Sequence, residues 1–234
     1  MNIHLLQGIE GAKKAKGIAV IIDVFRAFSL EVYLAVAGVK KILPVGAKET
    51  AYRLKEENPE FLLIGERQGK ILPGFDFGNS PSQIDPDCVF GKIAVHTTSA
   101  GTQGVAAAFD GADEILTGSL VNAKAVAKYI LSKDPDEVSL VCMGKNGTRE
   151  TPEDTLCGEY IKALLEGRTI DMESGLLAIR EHSEGKKFFD PALQDVFPQK
   201  DYEMCTEIDR FDLVLKVNRL ESDVFETKFL ICVK

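Results

Sequence analysis

The sequence predicts an α/β fold in which a mostly parallel or mixed sheet is covered by helices in three layers, with a smaller C-terminal α/β lobe. Through the first two thirds of the chain, short apolar runs alternate with segments whose apolar residues have helical spacing. The run at residues 18–22 is apolar throughout, as expected for a strand buried on both faces. The 234 residues can bury a sizeable core, as one large domain or two small ones.

Each strand of the main region is predicted from an apolar run, and each helix from apolar spacing between turn signals. The helix at 28–39 stops near Gly38, the polar-faced helix at 48–57 stops at Asn58 and Pro59, the helix at 102–109 has small residues, and that at 122–131 is amphipathic. The predicted strands are 18–22, 41–45, 62–64, 93–97, 114–117 and 138–142, and the helices are 28–39, 48–57, 102–109, 122–131 and 153–165.

The last third of the chain has a different pattern. Residues 174–182 and 191–197 predict short helices among loops, and residues 212–220 and 226–233 predict two strands of alternating character. These strands fit either a smaller second lobe or an antiparallel addition to the main sheet. We assign the main region to 1–166 and the smaller lobe to 167–234, with a boundary near Gly167.

The composition excludes several classes of function. A net charge of -8 without a basic stripe argues against general nucleic-acid binding. The chain shows no signal peptide or transmembrane run, and its five cysteines are scattered without a CxxC motif. We expect a cytoplasmic protein that binds neither nucleic acid nor membranes. An acidic protein that binds an anion needs arginines, oriented N–H groups or a divalent metal.

Polar side chains follow five of the six predicted strands, at the ends where open α/β sheets bind their ligands. Carboxylates, arginines, hydroxyls and glycines all fall on this one predicted rim. They are Asp23 and Arg26; Glu66 and Arg67; Thr97, Thr98, Ser99, Gly101 and Thr102; Ser119 and Asn122; and Arg149, Glu153 and Asp154.

The turn from Thr97 to Thr102 has four hydroxyls in six residues before a helix. Free N–H groups and the helix dipole make such a start an anion site. N-capping is the simpler alternative, but it needs only one hydroxyl, so we favour anion binding here. For Ser119 and Asn122, plain capping is at least as good an explanation.

Four carboxylates, Asp23, Glu66, Asp76 and Asp154, are candidate ligands of Mg²⁺, which prefers oxygen ligands and keeps several waters. Each alone also suits a cap, a turn or a salt bridge. Arginine binds phosphate or sulfonate through two parallel hydrogen bonds, and the candidates for this role are Arg26, Arg67 and Arg149.

Residues 65–81, with the sequence GERQGKILPGFDFGNSP, form a loop rich in glycine and proline after a buried strand. Glu66 and Arg67 come at the strand end, and residues 76–80 lie beyond a spacer, from which Asn79 and Ser80 could cover the ligand. We expect Glu66 and Asp76 to face one cavity.

Common nucleotide and hydrolase motifs are missing. The sequence has no GxxxxGK[ST], no GxGxxG after a strand and no GxSxG. Its three histidines are unpaired along the chain, and we expect a structural role for His96, which comes at a strand end.

Five segments together resemble the 2-phosphosulfolactate phosphatase family. They are IIDVFRA at 21–27, GERxGKxxxGFDFGNSP at 65–81, TTSAGT at 97–102, GSxxN at 118–122, and CxGxxG at 142–147 followed by Glu153 and Asp154. The likeness is strongest over 21–158 and weaker over 189–215.

The resemblance implies an α/β, Mg²⁺-dependent phosphatase that converts 2-phospho-3-sulfolactate to 3-sulfolactate in the pathway to coenzyme M. For this activity we expect Asp23, Arg26 and Glu66, at the strand ends, to be the catalytic residues. The expected partner is a small phosphorylated anion, with a homodimer as an option for assembly. A related phosphate ester is an alternative substrate.

Three alternatives remain open at this stage. Asp23 could be a nucleophile rather than a metal ligand, although Phe25 stands where haloacid dehalogenase-type phosphatases have a second aspartate. The protein could also be a non-catalytic sensor of a small anionic metabolite. A phosphotransferase is the third alternative, without a nucleotide motif in its favour.

Overall fold

Ten strands form one mixed sheet in the computed structural model of the protein, which describes residues 1–231. The strands are β1 (Asn2–Gln7), β2 (Ile18–Ile22), β3 (Lys41–Pro44), β4 (Leu62–Arg67), β5 (Lys70–Ile71), β6 (Ile93–Thr97), β7 (Glu114–Gly118), β8 (Glu137–Cys142), β9 (Leu213–Glu221) and β10 (Val224–Ile231). The helices are α1 (Gly8–Ala12), α2 (Ala27–Val36), α3 (Lys48–Glu57), α4 (Pro86–Val89), α5 (Gly101–Ala108), α6 (Ala123–Lys133), α7 (Pro152–Leu165), α8 (Met172–Glu181), α9 (Ser183–Lys186) and α10 (Gln199–Cys205).

Across the sheet the strands follow the order β1-β8-β2-β7-β9-β10-β3-β6-β4-β5. The first four of these strands are parallel to one another, and β3, β6 and β4 form a second parallel group. Between the groups, β9 and β10 pair antiparallel with each other and with their neighbours β7 and β3. These three successive antiparallel pairings make the two parallel groups run in opposite directions.

Helices cover both faces of the sheet because successive residues of its buried strands point to opposite sides. On one face of β2, Val20 lies in a core cluster with Ile130 of α6 and Ile161 of α7. On the other face, Ile21 lies in a cluster with Val105 of α5. The other group is covered in the same way, by α3 on one face and by α2 and α4 on the other. The predicted α/β class with a mixed, helix-covered sheet is confirmed.

The last two strands do not form a sheet of their own. They sit in the centre of the main sheet, which is the predicted alternative of an antiparallel addition. The strand predicted at 226–233 begins at Val224, and its predicted end at Val233 lies outside the described residues. The boundary near Gly167 stays a prediction.

Some elements differ from the prediction. The edge strand β1 was not predicted, and only one of its faces is partly covered, so its apolar signal is weak. The helix expected at 191–197 is only a 3₁₀ turn at Pro191–Leu193, followed by the unpredicted α10. Within residues 1–231, no helix has the length and apolar character needed to span a bilayer.

The carboxyl ends of the two parallel groups meet although the groups run in opposite directions. Asp23, directly after β2, accepts a hydrogen bond at 2.9 Å from the N–H of Gly101, which begins the helix after β6. A flat sheet would place these ends at opposite edges, so twist accumulated over the intervening strands brings them together. The loops after β2 and β6 therefore meet even though their strands run in opposite directions.

Candidate active site

The loops at these strand ends enclose a cavity of about 700 Å³. Its walls come from the loops after β2, β4, β6 and β8, from the start of α7 and from residues 183–197. Eight of the side chains predicted from the sequence line it: Asp23, Arg26, Glu66, Asn79, Ser99, Arg149, Glu153 and Asp154.

Asp23 joins the two halves of the cavity. Its Oδ1 accepts from the N–H of Ala27 at 3.3 Å, and its Oδ2 accepts from that of Gly101. A Cβ at Gly101 would lie 2.9 Å from Asp23 Oδ2, so glycine allows this close approach. Burial raises the pKa of Asp23 to about 6, and the nearby charge of Glu66 adds to this effect.

Glu66 fastens the loop after β4 to the hydroxyl-rich turn after β6. Its Oε1 accepts from the N–H of Ser99 at 2.7 Å. Its Oε2 accepts from the N–H of Gly69 at 2.6 Å and from the hydroxyl of Ser99 at 3.1 Å. The carboxylate is buried yet lines the cavity.

Asp154 fastens the loop after β2 to the loop after β8. Its Oδ1 accepts from the N–H of Val24 at 2.8 Å, and its Oδ2 accepts from that of Gly144 at 2.7 Å. Burial raises the pKa of Asp154 well above its ordinary value, and the charges of Asp23 and Glu153 raise it further. Three carboxylates are therefore held close enough to repel one another.

Glu153 was predicted on the same rim beside Asp154, but not as a metal ligand. It is buried, it lines the cavity, and its Oε2 has no hydrogen-bond partner. Burial raises its pKa to about 7, and the charge of Glu184 adds to this while that of Lys187 opposes it. An unpartnered buried carboxylate oxygen at a cavity wall is a candidate cation ligand.

We expect the metal-free protein, in EDTA, to lose stability as the pH rises from 5 to 8. The ordinary pKa values of Asp23 and Glu153 are 3.8 and 4.5, and folding raises them to about 6 and 7. The folded state therefore holds more protons than the unfolded state between those values, so the free energy of unfolding falls as the pH rises through them. Urea unfolding should show a loss of about 3 kcal/mol.

The Glu153→Gln variant is the control for this pH effect. It removes one raised group, so its free energy of unfolding should depend less on pH over the same interval. A stability that is unchanged or rises from pH 5 to pH 8 in the parent protein would contradict the buried carboxylate cluster.

Arg26 is a buried cation at the cavity wall. Its Nη1 donates to Asp201 Oδ2 at 2.6 Å and to the carbonyl of Val196 at 2.8 Å. Its guanidinium carbon lies 4.9 Å from the centre of the Phe197 ring. Asp201 also accepts from the Ser80 hydroxyl at 2.9 Å. These contacts hold Arg26 by one nitrogen, and the other guanidinium nitrogens have no hydrogen bond within residues 1–231.

Asn79 is oriented from beneath the cavity by His96. The Nε2 of His96 lies 3.0 Å from Asn79 Oδ1, and its Nδ1 lies 2.8 Å from Glu31 Oε1. His96 and Glu31 are fully buried, and Asn79 lines the cavity. The amide oxygen of Asn79 is thus occupied, which leaves its NH₂ group to donate to a ligand.

The cavity also has a cationic side. Lys145, Arg149 and Lys187 all contact Glu184, and all four residues line the cavity. Burial acts to raise the pKa of Glu184, but Lys187 and Lys145 outweigh it and lower that pKa to about 2. Of these cations only Arg149 was predicted; Lys187 was missed because residues 183–187 carry no local signal that they meet the loop after β8, and Lys145 was not singled out although it lies on that loop.

Several predicted ligand-binding residues hold the loops together instead of lining the cavity. Arg67 donates to the carbonyls of Glu66 and Gly46 and to the hydroxyl of Thr97. Because its nitrogens bind these groups, Arg67 supports the loop from behind and borders a neighbouring cavity. Ser80 likewise supports Asp201.

Local hydrogen bonds occupy the remaining hydroxyls. Thr98 and Thr102 each accept from the backbone N–H of the other, at 3.2 and 2.9 Å. Ser119 and Asn122 form a capping box at the turn before α6. None of these four side chains is among the cavity-lining residues of the described chain, so the structure does not bring them to this cavity.

Asp76 lies outside the cavity, so the prediction that it faces one cavity with Glu66 is wrong. Its Oδ2 accepts from the N–H of Leu63 at 2.8 Å and lies 3.7 Å from Lys55 Nζ. The chain reverses between β4 and the short antiparallel strand β5, which returns Asp76 to the start of β4 while Glu66 stays at its end.

Comparison with known proteins finds one family model and several relatives that match most of this chain. The family model described as 2-phosphosulpholactate phosphatase matches residues 3–219. A probable 2-phosphosulfolactate phosphatase of Bacillus subtilis is 30% identical over 222 residues, which are 94% of this chain and 95% of the relative. A protein of the same name in Clostridium perfringens is 32% identical over 224 residues, which are 90% of each chain. Another in Caldicellulosiruptor saccharolyticus is 37% identical over 174 residues, which are 73% of this chain and 71% of the relative.

Proposed function

This chain belongs to the 2-phosphosulfolactate phosphatase family and is a phosphoric monoester hydrolase; we propose that it hydrolyses 2-phospho-3-sulfolactate, or a related small phosphate ester, with Mg²⁺ as cofactor. The product 3-sulfolactate would serve a pathway of the coenzyme M type. The observation that carries this proposal is the cavity in which five buried carboxylates adjoin four cationic side chains: Asp23, Glu66, Glu153, Asp154 and Glu184, with Arg26, Lys145, Arg149 and Lys187.

The donor atoms of this cavity fit Mg²⁺. They are carboxylate oxygens; burial raises the pKa of Asp23 and Asp154 and neighbouring carboxylates raise both further, and Glu153 Oε2 has no partner. Within residues 1–231, no three Asp, Glu, His or Cys side chains are arranged to enclose a metal by themselves. That fits an ion which keeps waters and is bound through one or two carboxylates plus substrate phosphate.

Asp23 and Glu153 are our preferred protein ligands. Asp23 is held at the junction of the two halves of the cavity, and Glu153 offers a free oxygen. When bound, Mg²⁺ supplies positive charge against the phosphate and the developing charge of the transition state. Glu66 and Asp154 hold the loops after β2, β4, β6 and β8 through backbone N–H groups, so they position this pair.

The phosphate is bound by the donors that the chain leaves free. Arg26 has guanidinium nitrogens without a protein partner, and Asn79 offers its NH₂ group. Water attacks phosphorus, the bond from phosphorus to the ester oxygen breaks, and one proton passes in net from the water to the released alcohol. Preorganised donors stabilise the charge on the transferred group without reorganising.

A nucleophilic role for Asp23 is less favoured. Both of its carboxylate oxygens accept backbone N–H groups, which withdraw charge from the atom that would attack phosphorus. The same contacts hold a metal ligand in place. We therefore propose metal binding for Asp23 and direct attack by water.

The test is phosphate release from a panel of small esters that includes 2-phospho-3-sulfolactate and 2-phospholactate. We expect turnover with Mg²⁺ that falls at least about 100-fold in EDTA and returns when Mg²⁺ is restored. A protein that binds these esters but hydrolyses none with Mg²⁺ would be a sensor, and the proposal would fail. The expected homodimer and the cytoplasmic location stay predictions.

A further inference from the structure

Three cationic side chains share one buried carboxylate at the cavity wall. Glu184 Oε1 accepts from Lys145 Nζ at 3.0 Å and from Arg149 Nη2 at 2.8 Å, and its Oε2 accepts from Lys187 Nζ at 2.7 Å. One negative charge is thus set against three positive charges. These four side chains therefore carry a net charge of about +2, in a protein whose net charge is -8.

The backbone is shaped to bring these cations together. The loop after β8 closes on itself because Lys145 N donates to the carbonyl of Arg149 and Arg149 N donates back. Gly144 begins this loop with a φ of +62°, and a Cβ there would lie 2.2 Å from the Arg149 carbonyl oxygen. Lys145 and Arg149 therefore leave the loop side by side and reach Glu184 together.

A purely structural ion pair explains this cluster poorly. Joining the loop to residues 183–187 needs one cation for Glu184, whereas three are present. Lys145 and Arg149 are 48% and 63% exposed, so their excess charge is available to a ligand. Partly exposed pairs contribute little to stability, which leaves binding as the better reason for the second and third cation.

The cluster continues into the proposed phosphate site. Glu153 is influenced by the charges of both Lys187 and Glu184, so it lies where the acidic and cationic sides meet. Phe197 is a second link between the acidic and cationic sides. The centre of its ring lies 4.9 Å from the guanidinium carbon of Arg26 and 4.7 Å from Lys187 Nζ. One short ligand could therefore contact both sides.

We propose that Lys145, Arg149 and Lys187, gathered by Glu184, form a second anion subsite that binds the sulfonate of the substrate. This proposal rests on the proposed phosphatase function. The phosphate lies against Arg26 and the carboxylate side of the cavity. The subsite selects phosphate esters with a second strong anionic group over esters that lack it. Sulfonate suits this cluster because it presents several oxygens to donors that converge from different elements.

The test compares 2-phospho-3-sulfolactate with 2-phospholactate, which keeps the phosphate and carboxylate but has no sulfonate. We expect Arg149→Gln and Lys187→Gln each to lower kcat/KM for the sulfonated ester about 10- to 100-fold. The value for 2-phospholactate should change less than about threefold. Equal losses on both esters, or no loss on either, would overturn the sulfonate subsite.

Lys186→Gln is the matched control. It removes the same charge one residue away, but Lys186 pairs with Glu181 at 3.3 Å and is not a cavity residue. It should leave both kcat/KM values unchanged. If Lys187→Gln folds poorly, Arg149→Gln carries the test alone because its side chain is largely exposed.

Calorimetry separates this subsite from the phosphatase function. Wild-type protein should bind 3-sulfolactate at least about 10-fold more tightly than lactate, and Arg149→Gln should remove most of that difference. This result would stand even if no ester were hydrolysed. Equal affinity of the wild-type protein for both acids would overturn the subsite without touching the hydrolysis assay.

Discussion

Replacing Asp23 with Asn is expected to lower kcat/KM for the phosphate ester by about 10³-fold or more. Asp23 contacts backbone from both halves of the cavity, so its charge is fixed where the loops after β2 and β6 meet. The amide keeps the shape of the side chain but loses the charge that would hold Mg²⁺. Steady-state rates at saturating Mg²⁺ measure this loss.

Asp76→Asn is the matched control for this substitution. Asp76 was an equal candidate by sequence, but it binds the N–H of Leu63 outside the cavity. The variant should keep its activity within about threefold. Parental activity in Asp23→Asn, or an equal loss in Asp76→Asn, would contradict the assignment of Asp23 to the site.

Rapid quenching of the parent protein distinguishes the two roles of Asp23. With Asp23 as a metal ligand, no phosphoryl group should be found on the protein during turnover. A phosphoryl group mapped by mass spectrometry to Asp23 would make it the nucleophile instead.

Replacing Asp201 with Leu should have the largest effect on stability, a loss of about 3 to 5 kcal/mol. Asp201 is fully buried and pairs with the guanidinium of Arg26, which is 4% exposed. Removing one partner leaves the other charge buried without compensation. Urea unfolding measures the loss, and Asp110→Ala, which removes an exposed partner of Arg219, should cost less than about 1 kcal/mol.

The double variant Arg26→Met, Asp201→Leu separates structure from catalysis. Replacing the whole buried pair with apolar side chains should restore much of the stability. Activity should stay lost, because the cation that contacts the phosphate is gone. A double variant that recovers both stability and activity would show that Arg26 only supports the fold.

The sequence predicts the buried strands well because their apolar runs are local. The strand at 18–22 has the same ends in the structure, and the strand at 93–97 does too. The position of β9 and β10 was harder, because insertion between β7 and β3 depends on pairing with strands far away along the chain. The edge strand β1 was missed because its alternating, half-exposed residues give a weak signal.

The residues of the site also fall into two groups: those that local sequence predicts and those that only the folded chain reveals. Asp23, Arg26 and Glu66 follow strands, so a rule about strand ends finds them. Asp201 and Glu184 lie on late helices, and only the folded chain shows that they hold Arg26 and the cations of the loop after β8.

For the hydroxyls of the turn at 97–102, the prediction from sequence put too much weight on ligand binding relative to local hydrogen bonding. Local spacing alone fits both capping and ligand binding. In the structure Thr98 and Thr102 satisfy each other, while Ser99 donates to Glu66 at the cavity wall.

Phosphorus NMR of the wild-type protein with 2-phospho-3-sulfolactate and Mg²⁺ tests most directly whether this cavity is a phosphatase site. The ester signal should give way to inorganic phosphate, and Asp23→Asn under the same conditions should leave the ester intact. An ester signal that persists with the wild-type protein, or phosphate that forms equally fast with Asp23→Asn, would contradict the proposed function of this cavity.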